Sequence, residues 1–286
     1  MKVIYPLLIE NSFIVLQISD MGSKNFIFEK NNMEYNVESY WDKVADSIKQ
    51  RDTNSLLAGD DEPYYKYKRQ LFQKLLDTIN FENKKVLEVG SGPGGNLDYL
   101  SRKNCKEIVG VDVSEKMVAL SRKLLHNDRI QILKTDGVSL PFDNHYFDIV
   151  FTSTVLQHNT NEANLKQLIK SICKVSNSDI ILFERVEKKI IGHESNLGRP
   201  VEYYSQLLNQ NNFSLISTRF LPIQASYFVC GSIRKLFNRK SRKEGEPISK
   251  ISRILENIFL PITKLLDKTI TSKRDLCMLY FKKNIL

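Results

Sequence analysis

Residues 86–96, Val-Leu-Glu-Val-Gly-Ser-Gly-Pro-Gly-Gly-Asn, run from a short apolar stretch straight into a turn nearly devoid of side chains. Glycine there removes the Cβ that would keep a ligand off the backbone, and it permits the positive φ of a tight turn. The chemistry such a turn serves is the close approach of a ligand to the backbone where a helix opens. Gly90, Gly92 and Gly95 also satisfy G-x-G-x-x-G, so the turn alone leaves a dinucleotide open as the ligand. Asp112 follows a second β-branched run, 22 residues after Gly90, where a carboxylate can accept from both ribose hydroxyls of either ligand class. Asp136, in Lys134-Thr135-Asp136-Gly137, follows a third such run.

With Glu88 two residues before the first glycine and Pro93 inside the turn, the motif resembles that of the class I methyltransferases dependent on S-adenosylmethionine (SAM), of the type 11/25 kind that act on small molecules. Dinucleotide-binding domains usually lack both residues. The resemblance runs over roughly residues 62–220 and the terminal strand, through Leu140-Pro141-Phe142-Asp143, Phe147-Asp148-Ile149-Val150 and Thr154-Val155-Leu156-Gln157-His158. It implies an α/β fold: a Rossmann-like, seven-stranded, mostly parallel sheet with an antiparallel last strand, helices on both faces and a helical insertion before that strand. It also implies SAM as cofactor, S-adenosyl-L-homocysteine as product and no metal. The cofactor-binding residues it implies are Glu88, Gly90, Ser91, Gly92, Asn96, Asp112, Val113, Met117, Asp136, Gly137, Thr154 and Val155, with Asp136 accepting from the adenine amino group. The motifs leave the acceptor open, a small molecule or a lipid-linked one.

The sulfonium of SAM already carries the electrophilic methyl, so a protein using it must chiefly align an acceptor and exclude water, with a general base where a proton must leave. His158, just past the fourth strand on the rim where open α/β sheets bind ligands, is the first candidate base. Glu184, at the end of the fifth strand beside Arg185, and His193 in a polar loop are weaker candidates, and Asp148 is set aside as structural. Tyr40, Trp41, Tyr64, Tyr65 and Tyr67 precede the sheet and could wall a site or pack beneath a helical lid, while Lys68 or Arg69 could reach the cofactor carboxylate.

Short β-branched runs at 86–89, 108–111, 130–133, 147–152 and 180–183 alternate with helical stripes such as Leu165, Leu168, Ile169 and Ile172, the pattern of a parallel sheet covered on both faces. A helix opening at Pro63 leads into the first strand, and 201–208 reads as a helix, 213–216 and 276–281 as strands. The expected organisation is a leader over 1–35, a helical lid over 36–80, the SAM-binding domain over 81–220 plus 275–286, and a basic amphipathic insertion over 221–274. The first residues are apolar only in patches and suggest neither a span nor a signal peptide, and Met21 and Met33 are alternative starts.

The net charge of +9 is local, because residues 231–274 carry twelve Lys and Arg against four Asp and Glu. Interleaved apolar residues at helical spacing turn the reading from nucleic acid toward an acceptor lid or a peripheral contact with anionic membrane. Pro261 is expected to break or kink this stretch into two helices. Four scattered cysteines form neither a zinc pattern nor a disulfide framework, consistent with a cytoplasmic protein peripheral at most to a membrane. Two other readings stay open at this level: a nicotinamide-dependent oxidoreductase on the same turn, and a non-catalytic SAM-binding module.

Overall fold

The computed structural model describes residues 35–51, 56–58, 62–270 and 273–284. The leader read over 1–35 lies outside the described residues but for Tyr35.

The sheet is built from β1 (Lys85–Val89), β2 (Glu107–Asp112), β3 (Ile130–Lys134), β4 (Phe147–Ser153), β5 (Ser176–Val186), β8 (Phe213–Phe220) and β9 (Asp275–Lys283), in the order β3-β2-β1-β4-β5-β9-β8. The first five pair in parallel, and β9 runs antiparallel to both β5 and β8. This is the seven-stranded Rossmann-like sheet expected from the sequence. Strand order reverses at β1, which has β2 on one side and β4 on the other, so the loops leaving β1 and β4 diverge and open a crevice beyond their carboxyl ends. A separate two-stranded hairpin, β6 (Ile191–His193) and β7 (Asn196–Gly198), fills a stretch that reads as polar loop.

Helices α3 (Gly95–Leu100), α4 (Glu115–Leu124), α5 (Glu162–Val175) and α6 (Val201–Asn209) cover the faces. Their starts follow local chemistry: Ser114 accepts from Met117 N at 3.0 Å, and Asn161 accepts from Asn164 N at 3.1 Å, each satisfying a free first-turn N–H. Because both faces are covered, β1 and β2 are buried at nearly every position, and the core divides into one cluster around Leu87, Val150 and Leu168 and another around Val86, Phe151 and Phe183.

Two N-terminal helices, α1 (Val37–Lys49) and α2 (Pro63–Leu76), sit ahead of the sheet. Val44, Ala45 and Ile48 of α1 pack on Met117 and Leu120 of α4, and Asp42 accepts from Ser114 Oγ at 2.6 Å. Between β8 and β9 lies a pair of helices, α7 (Gln224–Phe237) and α8 (Lys250–Asp267), joined by a loop that returns to the N-terminal helices. In that loop the Tyr40 hydroxyl bonds Glu244, Arg51 donates to Gly245 O at 2.8 Å, and Arg242 pairs with the buried Glu62 at 2.7 Å.

Pro261 does not divide the insertion as the sequence suggests; it lies inside the single helix α8. Proline removes one backbone bond, to the carbonyl of residue 257, and both Pro261 and Asn257 are exposed, where water can take that carbonyl. The break between helices comes instead at the loop after Phe237.

Candidate functional site

The crevice at the switch point contains a cavity whose walls are supplied by four loops and the lid. Val89, Gly90 and Gly92 come from the glycine turn, Asp112 and Val113 from the end of β2, Thr135 and Gly137 from the loop after β3, and Ser153, Thr154, Val155 and Asn159 from the end of β4. Val37 and Trp41 of α1 close it from above.

Gly90 has φ +73°, and a Cβ built on it would lie 2.4 Å from Val155 Cγ2. The position therefore demands glycine on two counts, its left-handed conformation and the close packing of the Val155 side chain against it. Asp112 stands at the far wall with its carboxylate held: Oδ2 accepts from Gly92 N at 2.8 Å and Oδ1 from Ser114 N at 2.9 Å. Burial raises its pKa, and the N–H groups of Ser114 and Gly92 oppose that rise.

Glu88 lies one layer behind the turn. Its Oε1 accepts from Asn96 Nδ2 at 2.7 Å, and its Oε2 is buried with no hydrogen-bond partner among the described residues, as is Ser91 Oγ. Burial, relieved only in part by Asn96 and Arg69, pushes the Glu88 carboxyl up to about 8 from an ordinary 4.5. Between these two values an unfolded chain has lost the proton that the folded chain keeps, so the contribution of Glu88 to stability falls as pH rises through that window. Denaturant midpoints recorded between about pH 5 and pH 8 should therefore decline more steeply for the parent than for Glu88→Gln, and parallel profiles would refute this account.

The remaining expected residues divide. Gly90, Gly92, Asp112, Val113, Gly137, Thr154 and Val155 meet at the cavity. Asn96 serves Glu88, and Met117 is fully buried in the contact between α4 and the lid. Asp136 stands between two wall residues, Thr135 and Gly137, with Oδ1 accepting from Val138 N at 2.9 Å and Ser139 N at 2.6 Å. Its slight burial raises the pKa, but those N–H groups outweigh it and hold the carboxyl below its usual value.

His158 is buried outside the cavity walls, edge-on to Trp41 at 5.1 Å between centroids. The amide of Gln157 fixes its tautomer: Gln157 Oε1 accepts from Arg185 N at 3.1 Å, so the Nε2 of Gln157 is the donor facing His158 Nε2 at 3.2 Å, and His158 Nδ1 donates to Ser195 O at 2.9 Å. Burial pulls the imidazole pKa below its ordinary value, which keeps the ring neutral, yet the lone pair a base would use is already engaged.

Glu184 neither faces an acceptor nor pairs with Arg185. It is fully buried and accepts from Thr152 Oγ1 at 2.8 Å, Val155 N at 3.0 Å and Gln157 N at 3.2 Å. Arg199, also fully buried, holds the same turn from its carbonyl side through Leu156 O and Asn159 O, both at 2.9 Å. Between them sits Thr154 at φ +58°, a strained conformation for a β-branched residue that needs such support. Asp148 is structural, as expected, accepting from Lys85 N at 2.9 Å, and His193 is exposed on the small hairpin. Tyr64 lies under the insertion with the Arg234 guanidinium 5.0 Å from its ring, away from the cavity. Lys68 stands over the Tyr65 ring, whereas Arg69 reaches the glycine turn and donates to Gly95 O.

The glycine turn, the Asp112 carboxylate and the Trp41 ring line one crevice, and that lining suits an adenosyl ligand by its chemistry. Residues 86–179 match the family model described as a methyltransferase domain. This segment is a class I methyltransferase domain. The phthiotriol/phenolphthiotriol dimycocerosates methyltransferase of Mycobacterium leprae is 30% identical over 95 residues, 33% of this chain and 35% of that one. The phosphoethanolamine N-methyltransferase 1 of Zea mays is 26% identical over 157 residues, 50% of this chain and 30% of that one. The matched stretches of this chain span about a third of the length of these curated relatives. The crystal structure of magnesium protoporphyrin IX methyltransferase from Synechocystis PCC 6803 superposes with a TM-score of 0.54 at 15% identity, over 87% of this chain and 98% of that one, a likeness of fold.

Proposed function

We propose that the chain is a SAM-dependent methyltransferase acting on a small-molecule or lipid-linked acceptor. The observation that carries this reading is one crevice lined together by Gly90 and Gly92 of the glycine turn, by Asp112 at the end of β2 and by Trp41 of α1. SAM, when bound, supplies an electrophilic methyl on sulfur. The residues fit such a ligand by their chemistry. Asp112 would take the ribose hydroxyls, Asp136 and Gly137 the adenine edge, and Val113 and Met117 the apolar wall behind it. Gly90, Ser91, Gly92 and Asn96, backed by Glu88, would present the turn to the amino acid moiety, and Arg69 would face its carboxylate. Thr154 and Val155 would line the path of transfer, with Trp41 excluding water.

His158 is the proposed general base for acceptors whose entry draws the Gln157 amide away and frees Nε2. The dimycocerosates and phosphoethanolamine named for the two relatives favour an acceptor attached to, or forming, a lipid headgroup. Among the described residues no helix is long and apolar enough to cross a membrane, and the proposal places the enzyme in the cytoplasm with peripheral contact through 231–274.

Titration with SAM by calorimetry is expected to give one saturable site, and incubation with methyl-labelled SAM and cell extract to transfer label to a lipid or small-molecule fraction. His158→Gln is expected to keep the site while slowing transfer, by the 10²–10⁴-fold typical of a lost base, roughly. Absence of SAM binding removes the proposal. Binding without label transfer to any fraction turns it into a non-catalytic SAM-binding module.

A further inference from the structure

Helix α8 is assembled inside out. Its buried positions are Ser252, Glu256, Leu260, Thr263 and Asp267, four of them polar, whereas Ile251, Ile254, Ile258, Ile262 and Leu265 are each more than half exposed. The buried polar groups have partners that fix this orientation. Glu256 accepts from Tyr64 N at 3.2 Å and pairs with Arg234 at 3.3 Å; Asp267 accepts from Ala225 N at 2.7 Å and from Ser226 N at 3.2 Å; and Thr263 accepts from Ser226 Oγ at 2.9 Å. Rolling the helix to bury its isoleucines would strand these groups, so the apolar face points outward by construction. At about 1.5 Å of rise per residue the stripe from Ile251 to Leu265 is about 21 Å long.

Charge is sorted on the same helix. At about 100° per residue, Lys250, Arg253, Lys264 and Lys268 fall together along one edge, between the buried face and the apolar stripe. The four acids of residues 231–274 all turn inward or onto their own loop: Glu256 and Asp267 as above, Glu244 to Tyr40 and Glu246 to Lys243 N. The outward surface of α8 therefore combines branched aliphatic side chains with cations and no exposed acid.

From this juxtaposition we infer that the exposed face of α8 docks the protein on an anionic phospholipid bilayer, the isoleucines entering the acyl boundary and the basic edge meeting lipid phosphates. A bilayer supplies both complements at once, an apolar layer about 5–10 Å deep and a negative surface. A second copy of this chain would supply the apolar complement but bring two basic edges together. The inference rests on the proposed function only in its use, which is to bring a lipid-linked acceptor to the enzyme; the loop before α8 is bonded to α1, the helix whose Trp41 roofs the crevice.

The test is sedimentation of the full chain with vesicles of phosphatidylcholine alone or with about a third phosphatidylglycerol. Binding to the mixed vesicles is expected to be at least about tenfold tighter and to weaken with salt. Ile254→Asp with Ile258→Asp should abolish it, and Lys250→Glu with Arg253→Glu should reduce it to the level of phosphatidylcholine, both variants melting like the parent. Equal binding to both vesicles, no binding, or an aspartate variant that sediments like the parent overturns the inference. So does a dimer that the aspartate variant dissociates, since the face then belongs to a second copy. SAM calorimetry on the same preparations separates the two readings: no SAM binding sinks the enzyme proposal and leaves the vesicle result standing, while SAM binding without vesicle binding sinks only the docking.

Discussion

Gly90→Ala is expected to raise the dissociation constant for SAM by at least about a hundredfold, close to 3 kcal/mol. The new methyl would sit 2.4 Å from Val155 Cγ2 on a backbone at φ +73°. Left-handed backbone costs an L-residue roughly 1–2 kcal/mol on its own. Relief of the clash must then push Val155, itself a wall of the crevice, into the space a ligand needs. Two neighbours calibrate the result. Gly92→Ala meets only the Ala58 methyl at 3.2 Å with φ +52° and should weaken binding less, whereas Gly231→Ala on α7 meets nothing within 4 Å and should leave binding untouched. Calorimetric titration of the three variants decides the matter, and a Gly90→Ala protein that binds SAM like the parent would mean that the cofactor does not lie against the Gly90 turn.

Glu184→Ala is expected to cost about 3 kcal/mol or more of stability. The carboxylate satisfies the Thr152 hydroxyl and the N–H groups of Val155 and Gln157 at once, and each buried donor left without an acceptor costs about 1–3 kcal/mol. Thr154 at φ +58° would lose half of the clamp that holds it, leaving Arg199 alone on the carbonyl side. The cavity wall formed by Thr154 and Val155 should therefore loosen, and SAM affinity fall alongside stability. Glu184→Gln keeps one acceptor oxygen but turns an NH₂ toward the other donor, so it should recover only part of the loss. Urea denaturation with and without SAM reads both effects; an alanine variant within about 0.5 kcal/mol of the parent would show that the turn holds itself.

The sheet was legible because its strands carry the apolar runs that burial on both faces requires: Val86 to Val89, Ile108 to Val111 and Phe147 to Thr152 each fall inside the strand they suggest. The ends were not. β5 begins at Ser176, four residues before its apolar run, because pairing with Phe147 of β4 and Lys282 of β9 draws in the polar stretch Ser176 to Asp179. At the crevice, Gly90, Gly92 and Asp112 could be read from local pattern, since a tight turn and a strand end impose their residue types within a short window. Glu184 and Arg199 could not, because their role is to hold residues some 30 to 40 positions away through a register no local pattern encodes. The same limit applies to α8: its apolar stripe suits an acceptor lid or a membrane contact alike, and the partners that hold its polar face inward, Tyr64, Arg234 and Ser226, are distant in sequence.

β9 fills the slot between β5 and β8, and in the sheet β8 touches no other strand. On the ribosome, β5 is finished at Val186, but the strand that covers its edge ends at Lys283. At about 5–20 residues per second the nascent chain keeps that edge open for roughly 5–20 s. Throughout that interval the edge of β5 stays a long unpaired strand, the kind of edge that pairs with neighbouring chains.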